Sequence, residues 1–128
     1  MKQLVFILFV SVFSLSSIHL NAQDLTQGKP SAKVNEQVDN ELKYLTQELA
    51  LTGKQQKLTK LKLTEFAMKE KQLIRSNMTI DEKQKQISAL NINKVNEMRD
   101  ILSGPQHDKY VKLIKQKRKT NKAEMLEN

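Results

Sequence analysis

A five-residue phrase is written twice in this chain, and it constrains the fold more than any other feature. Leu51-Thr52-Gly53-Lys54-Gln55 returns as Leu102-Ser103-Gly104-Pro105-Gln106, 51 positions later. In each copy a hydroxyl residue stands three positions before a glutamine, the spacing of a helix N-terminal capping box. The Thr or Ser oxygen accepts from the backbone N–H three residues on, and the Gln reaches back to the cap. Each copy follows an amphipathic stretch and precedes a lysine-rich one. Each phrase therefore ends one helix and starts the next, and the pair predicts two related helix–turn–helix halves.

Helical periodicity fills the intervals. A first helix is expected over about Val34–Ala50, with a stripe of Val34, Val38, Leu42, Leu45 and Leu49. Leu51 then docks the end of that helix. Thr52 caps a second helix running to about Arg75, with Leu58, Leu61, Phe66, Met68 and Leu73 on one side and Leu63, Ala67 and Ile74 on the other. Apolar residues on two sides call for two neighbours: core on one, and a dimer partner or bound polypeptide on the other. Ser76-Asn77-Met78 forms a turn, and Thr79 with Glu82 makes another capping box. The third stripe is Ile80, Ile87, Leu90, Val95, Met98, Ile101 and Leu102, interrupted by the poor helix formers Asn91, Asn93 and Asn96. Ser103 caps a fourth helix, and Pro105 suits its first turn. Apolar positions end at Ile114; five cations then fall in the eight positions 115–122, predicting a helix end projecting into solvent and fraying towards Asn128. No stretch has strand-type alternation, so the fold class is all-α, four helices with two helix–turn–helix junctions.

The ends divide the chain further. Lys2, the apolar run Leu4–Val10 continuing to Ile18, and Asn21-Ala22-Gln23 make a secretory signal peptide over residues 1–22, cleaved after Ala22. Residues 23–33 are a polar leader with Gly28 and Pro30, 34–114 the helical domain, and 115–128 a basic C-terminal end. Beyond residue 22 the aromatics are Tyr44, Phe66 and Tyr110, and the chain has no cysteine. A small domain with a thin core and no disulfide staples is expected to associate, most simply as a homodimer.

The chemistry-bearing residues are sparse. Without cysteine, and with His107 the one histidine beyond the signal, no catalytic constellation is expected, nor a metal site or cofactor. His107 beside Asp108 reads as a surface histidine at a helix start. Met68, Met78, Met98 and Met125 are too dispersed for a copper site and read as core fillers. The formal charge of +8 favours anionic partners: acidic proteins or membrane head groups, with nucleic acid disfavoured by export.

The doubled motif carries a resemblance. Leu49-Ala50-Leu51-Thr52-Gly53-Lys54-Gln55-Gln56 and Ile101-Leu102-Ser103-Gly104-Pro105-Gln106, the second with Ser for Thr, resemble the Leu-Thr-x-x-Gln phrases of the Spy/CpxP family of periplasmic chaperones and stress proteins. The resemblance covers about residues 36–115. It implies a thin curved bundle, an antiparallel dimer, periplasmic residence (secretion being the alternative), and ATP-independent binding of unfolded or aggregation-prone envelope proteins on a concave face. It equally implies a regulatory adaptor that meets an acidic sensor-kinase domain. Leu51, Thr52, Gln55, Leu102, Ser103 and Gln106 are expected to be structural, as caps and buried junctions. Lys57, Lys60, Lys62 and Lys69 are the candidates for steering acidic clients, with Leu63, Phe66 and Ile74 for apolar contact. A third reading has the 115–122 run bind anionic lipid.

Overall fold

The computed structural model describes residues 28–127, with side chains described as far as Asn121; the segment expected as a signal peptide (residues 1–22) and the leader up to Gln27 lie outside that range. Among the described residues there are four α-helices and no strand: α1 (Ala32–Leu49), α2 (Gly53–Arg75), α3 (Ile80–Glu97) and α4 (Gly104–Glu127), with a 3-10 turn at Met98–Asp100. The all-α expectation and the four helices hold. Ser31 caps α1, accepting from the Val34 N–H, so α1 starts two residues before the predicted Val34. α4 continues to Glu127 as helix, where fraying was expected.

The periodic stripe of α1 is its buried face: Val34, Val38, Leu45 and Leu49 are all buried. α1 and α2 run antiparallel, joined by the first motif and tied at their far ends by Lys71, whose ammonium donates to Ser31 Oγ at 3.1 Å. α2 and α3 form the next hairpin, braced by Lys62–Glu97 at 2.6 Å. α4 returns along α1, with Lys109 reaching Glu48 at 3.3 Å beside the last turn of α1. α2 thus has the two neighbours its sequence called for, and both are helices of the same chain.

Packing is uneven along the bundle. At the motif end, Leu49, Leu51, Met98, Leu102 and Tyr110 converge into one buried cluster with Leu45 and Leu63. Burying each large aliphatic side chain is worth about 1.5–3 kcal/mol before chain entropy is counted, so this end holds the molecule together. Towards the other end the helices separate. α3 packs along α2, α4 along α1, and α3 has no fully buried residue. The predicted third stripe is corrected accordingly: Met98 and Leu102 are buried, but Ile80 is 76% exposed because nothing covers α3 near its start. Met78, read as a core filler, is 40% exposed at the same hairpin tip.

The first junction holds a strained residue. Ala50 ends α1 at φ 51°, in the left-handed region, with its N–H on Thr46 O. A Cβ disfavours this conformation by about 1–2 kcal/mol, yet it turns the chain so that Leu51 enters the core. Replacing Ala50 with glycine removes the clash and adds unfolded-chain entropy, so Ala50→Gly should raise stability by about 0.5–1 kcal/mol in urea unfolding.

Candidate functional site

Both motif boxes form as the spacing predicts. Thr52 accepts from the Gln55 N–H, and the Thr52 N–H donates to Gln55 Oε1 at 3.0 Å. The Ser103 N–H donates to Gln106 Oε1 at 2.9 Å, with a long return contact of 3.5 Å from the Gln106 N–H to Ser103 Oγ. The two junctions meet, and the Gln55 and Gln106 carboxamides pair face to face: Nε2 of Gln55 donates to Oε1 of Gln106 at 2.7 Å, and the reverse bond is 3.2 Å. The remaining N–H of Gln55 goes to Ile101 O at 3.1 Å, and that of Gln106 to Leu49 O at 3.0 Å. A primary amide has two donors and two acceptor sites, and each of these amides uses all four. The 51-residue spacing between the phrases was the one signal for this pairing.

Behind the pair lies a buried polar layer. His107 is 6% exposed, which corrects its reading as a surface residue. Its Nε2 lies 2.8 Å from Val95 O; a carbonyl only accepts, so Nε2 carries the hydrogen. The bond satisfies a carbonyl beside the change from α3 to 3-10 geometry, where the Met98 N–H turns to Asn96 O and Lys94 O. Tyr110 stacks at a tilt against His107, is fully buried, and its hydroxyl has no protein partner among the described residues. Burial pushes the Tyr110 hydroxyl well above the usual phenol range, and Glu41 adds to the rise. Among the described residues no three His, Cys, Asp or Glu side chains cluster as a metal site, and no helix is long and apolar enough to cross a membrane.

The predicted contact residues separate into two groups. Leu63 and Phe66 are each 3% exposed, so they are interior and unavailable as a contact surface; this part of the expectation is corrected. Leu63 packs in the core, and Phe66 lies beneath Lys62 and Lys69, whose ammonium groups sit 5.9 and 5.2 Å from its ring centre. Ile74 is 56% exposed, as a contact residue requires. Of the steering lysines, Lys60 pairs with Asp39 at 2.7 Å, Lys62 with Glu97 and Glu65, and Lys69 with Glu65 at 2.6 Å. Those partners offset most of their charge locally. Lys57 is exposed and has no ion pair among the described residues. The larger uncompensated surface is on α4, where Lys109 to Lys119 holds six cations and no acid. Of these only Lys109 has an acidic partner among the described residues.

The ion pairs on α2 predict a pH profile. The Lys69 hydrogen bond, then the one from Lys62, holds the Glu65 carboxyl below its ordinary 4.5 against the opposing effect of burial. Hydrogen bonds from Lys62 to Glu97 and Glu65 raise the lysine above its ordinary 10.5. A lowered carboxyl stabilises the fold above the unfolded-state value and loses that contribution as pH falls through the folded one. The urea midpoint should therefore drop as pH falls below 4.5, and Glu65→Gln should flatten that limb. The raised lysine acts at the opposite end: its contribution is full below 10.5 and lost as pH rises through its folded value.

Between the separated ends of α2 and α4, over α1, lies a groove of about 700 Å³. Val38 and Leu45 of α1, Leu63 and Ala67 of α2, and Leu113 and Ile114 of α4 line it. Glu41 and Lys94 pair across it at 3.7 Å. Comparison with protein-family models, with curated proteins and with solved structures finds no match.

Proposed function

We propose that this is an exported, ATP-independent polypeptide-binding protein of the Spy/CpxP type, which holds unfolded or aggregation-prone envelope proteins. The observation that carries the reading is exposed apolar surface on the α2–α3 hairpin of a molecule whose α4 also carries uncompensated positive charge. Leu61, Ile74, Ile80 and Ile92 are 69, 56, 76 and 56% exposed, on a hairpin whose outer faces no other helix covers. Long-range attraction from the α4 cations draws in acidic, unfolded chains, and weak apolar contacts then hold them. Nothing in that sequence of events requires a nucleotide. Two features of the sequence support the same reading: the signal peptide and the doubled motif.

Light scattering of a chemically denatured client, diluted into buffer with the purified protein and no nucleotide, tests it. Suppression at near-stoichiometric amounts that weakens with added salt is the expected result. A full scattering signal at several-fold excess of protein would overturn the reading. The α4 cation run favours one second reading, an adaptor for an acidic sensor domain. A single stoichiometric partner recovered from envelope extract would select the adaptor, and many weak ones the chaperone.

A further inference from the structure

We propose that the outer face of α4 docks the protein onto an anionic phospholipid surface, at the level of the headgroups. The inference goes beyond the polypeptide-binding reading and does not depend on it.

Lys112, Lys115 and Lys119 fall within about 60° of one another around the helix axis and span a rise of about 10 Å along it. All three are exposed. The buried His107 and Tyr110 and the half-buried Leu113 and Ile114 occupy the opposite side, so the lysines form a ladder turned away from the body. Like charges three and four positions apart disfavour a helix. On α2 the same spacing is relieved within the chain, because Lys62 and Lys69 both donate to Glu65 between them. On α4 no acid stands between Lys109 and Lys119, and none of the three ladder lysines has an ion-pair partner among the described residues. The nearest acid on the same face, Asp108, lies one turn before Lys112 and is not paired with it. The helix thus keeps a repulsion that an outside anion relieves.

The form of the face selects the kind of anion. A folded protein partner is held by an apolar centre within a polar rim. Among the described residues, none of the exposed large apolar side chains is on α4. A small anion is held by donors that converge in a pocket, and neither hollow in the molecule is lined by a ladder lysine. A layer of anionic headgroups asks for neither feature: it is a continuous sheet of negative charge, and each lysine near it adds to the attraction. With no apolar neighbours, the ladder rests on the headgroups and does not enter the acyl chains. The exposed apolar residues of the α2–α3 hairpin are on other helices, so docking through α4 does not use them.

The test is co-sedimentation of the purified protein with vesicles of equal parts phosphatidylglycerol and phosphatidylcholine, against vesicles of phosphatidylcholine alone. Preference for the anionic vesicles is expected, and it should fade as salt is added. Replacing Lys112, Lys115 and Lys119 together with glutamine, which forms helix about as well as lysine, should weaken anionic binding roughly tenfold or more. A second triple variant removes the same charge elsewhere: Lys54→Gln, Lys85→Gln and Arg99→Gln, all at exposed positions away from α4. It should bind within roughly threefold of the unaltered protein, because those cations stay off the docked face. Residues 1–27 are identical in all three proteins, so any affinity of that segment for lipid cancels in the comparison. No preference for anionic vesicles overturns the proposal, and so does an equal loss in the two triple variants, which would mean that net charge alone acts. If vesicles are not bound and the ladder variant instead loses an acidic protein partner, the face belongs to that protein and the lipid docking is overturned. Aggregation suppression measured without lipid tests the polypeptide-binding reading separately.

Discussion

Replacing Tyr110 with alanine is expected to lower stability by about 3–5 kcal/mol, the range for removing a large buried aromatic. The side chain is 0% exposed and lies in the one cluster that α1, α2, α4 and the 3-10 turn share. A loss of this size is a large part of the 5–15 kcal/mol typical of a whole domain. Tyr110→Phe separates packing from polarity. The hydroxyl is buried without a protein partner, so deleting it is expected to be neutral or to stabilise by up to about 1 kcal/mol. The two variants should also differ in alkali. The folded state holds the phenol neutral above its ordinary 10.0, so the native protein loses stability as pH rises past that value. Phenylalanine should remove that part of the alkaline loss. Urea unfolding at neutral and alkaline pH measures both effects, and a Phe variant as damaged as the Ala variant would show that the hydroxyl is bonded after all.

The second large effect is expected at the amide pair. Gln55→Ala removes the bonds to Ile101 O and Gln106 and the return to the Thr52 N–H. At about 0.5–1 kcal/mol net for each of these four bonds, the loss is roughly 2–4 kcal/mol. Gln106→Ala should cost a similar amount, since it releases Leu49 O and the Ser103 N–H. The double variant should fall short of the sum by 0.5–3 kcal/mol, because the two reciprocal amide bonds are lost by either change alone. Additive losses in the cycle would mean that the two glutamines act only as separate caps. Gln55→Glu is the stricter test. A carboxylate still caps Thr52 but has no donor for Ile101 O or Gln106 Oε1, and it faces both with negative charge. It should cost at least as much as alanine at neutral pH.

Local rules carried far into this structure. The three boxes at Thr52, Thr79 and Ser103 begin their helices where the spacing put them. The α1 stripe is buried as its period required. These features depend on residues within one or two turns of each other, so the sequence displays them directly. Burial on the second and third helices does not have that property. Leu61 and Leu63 look alike in sequence, yet one is 69% exposed and the other 3%, because only the crossing of α1 over α2 chooses between them. His107 looked like a surface residue for the same reason: the Val95 carbonyl that receives it lies on another helix, 12 residues away.

The glutamines draw the line between the two levels most sharply. A capping box works with Glu or Gln at its last position, because either oxygen can accept the cap N–H. At Thr79 the chain uses Glu82, which is exposed and bonds only within its own box. At Thr52 and Ser103 it uses Gln, and within one turn of helix that choice has no visible reason. The sequence by itself determined that three helices start at these caps. Only the tertiary structure, which brings two of the caps into contact and leaves two carbonyls between them in need of donors, decided that those two residues carry an amide.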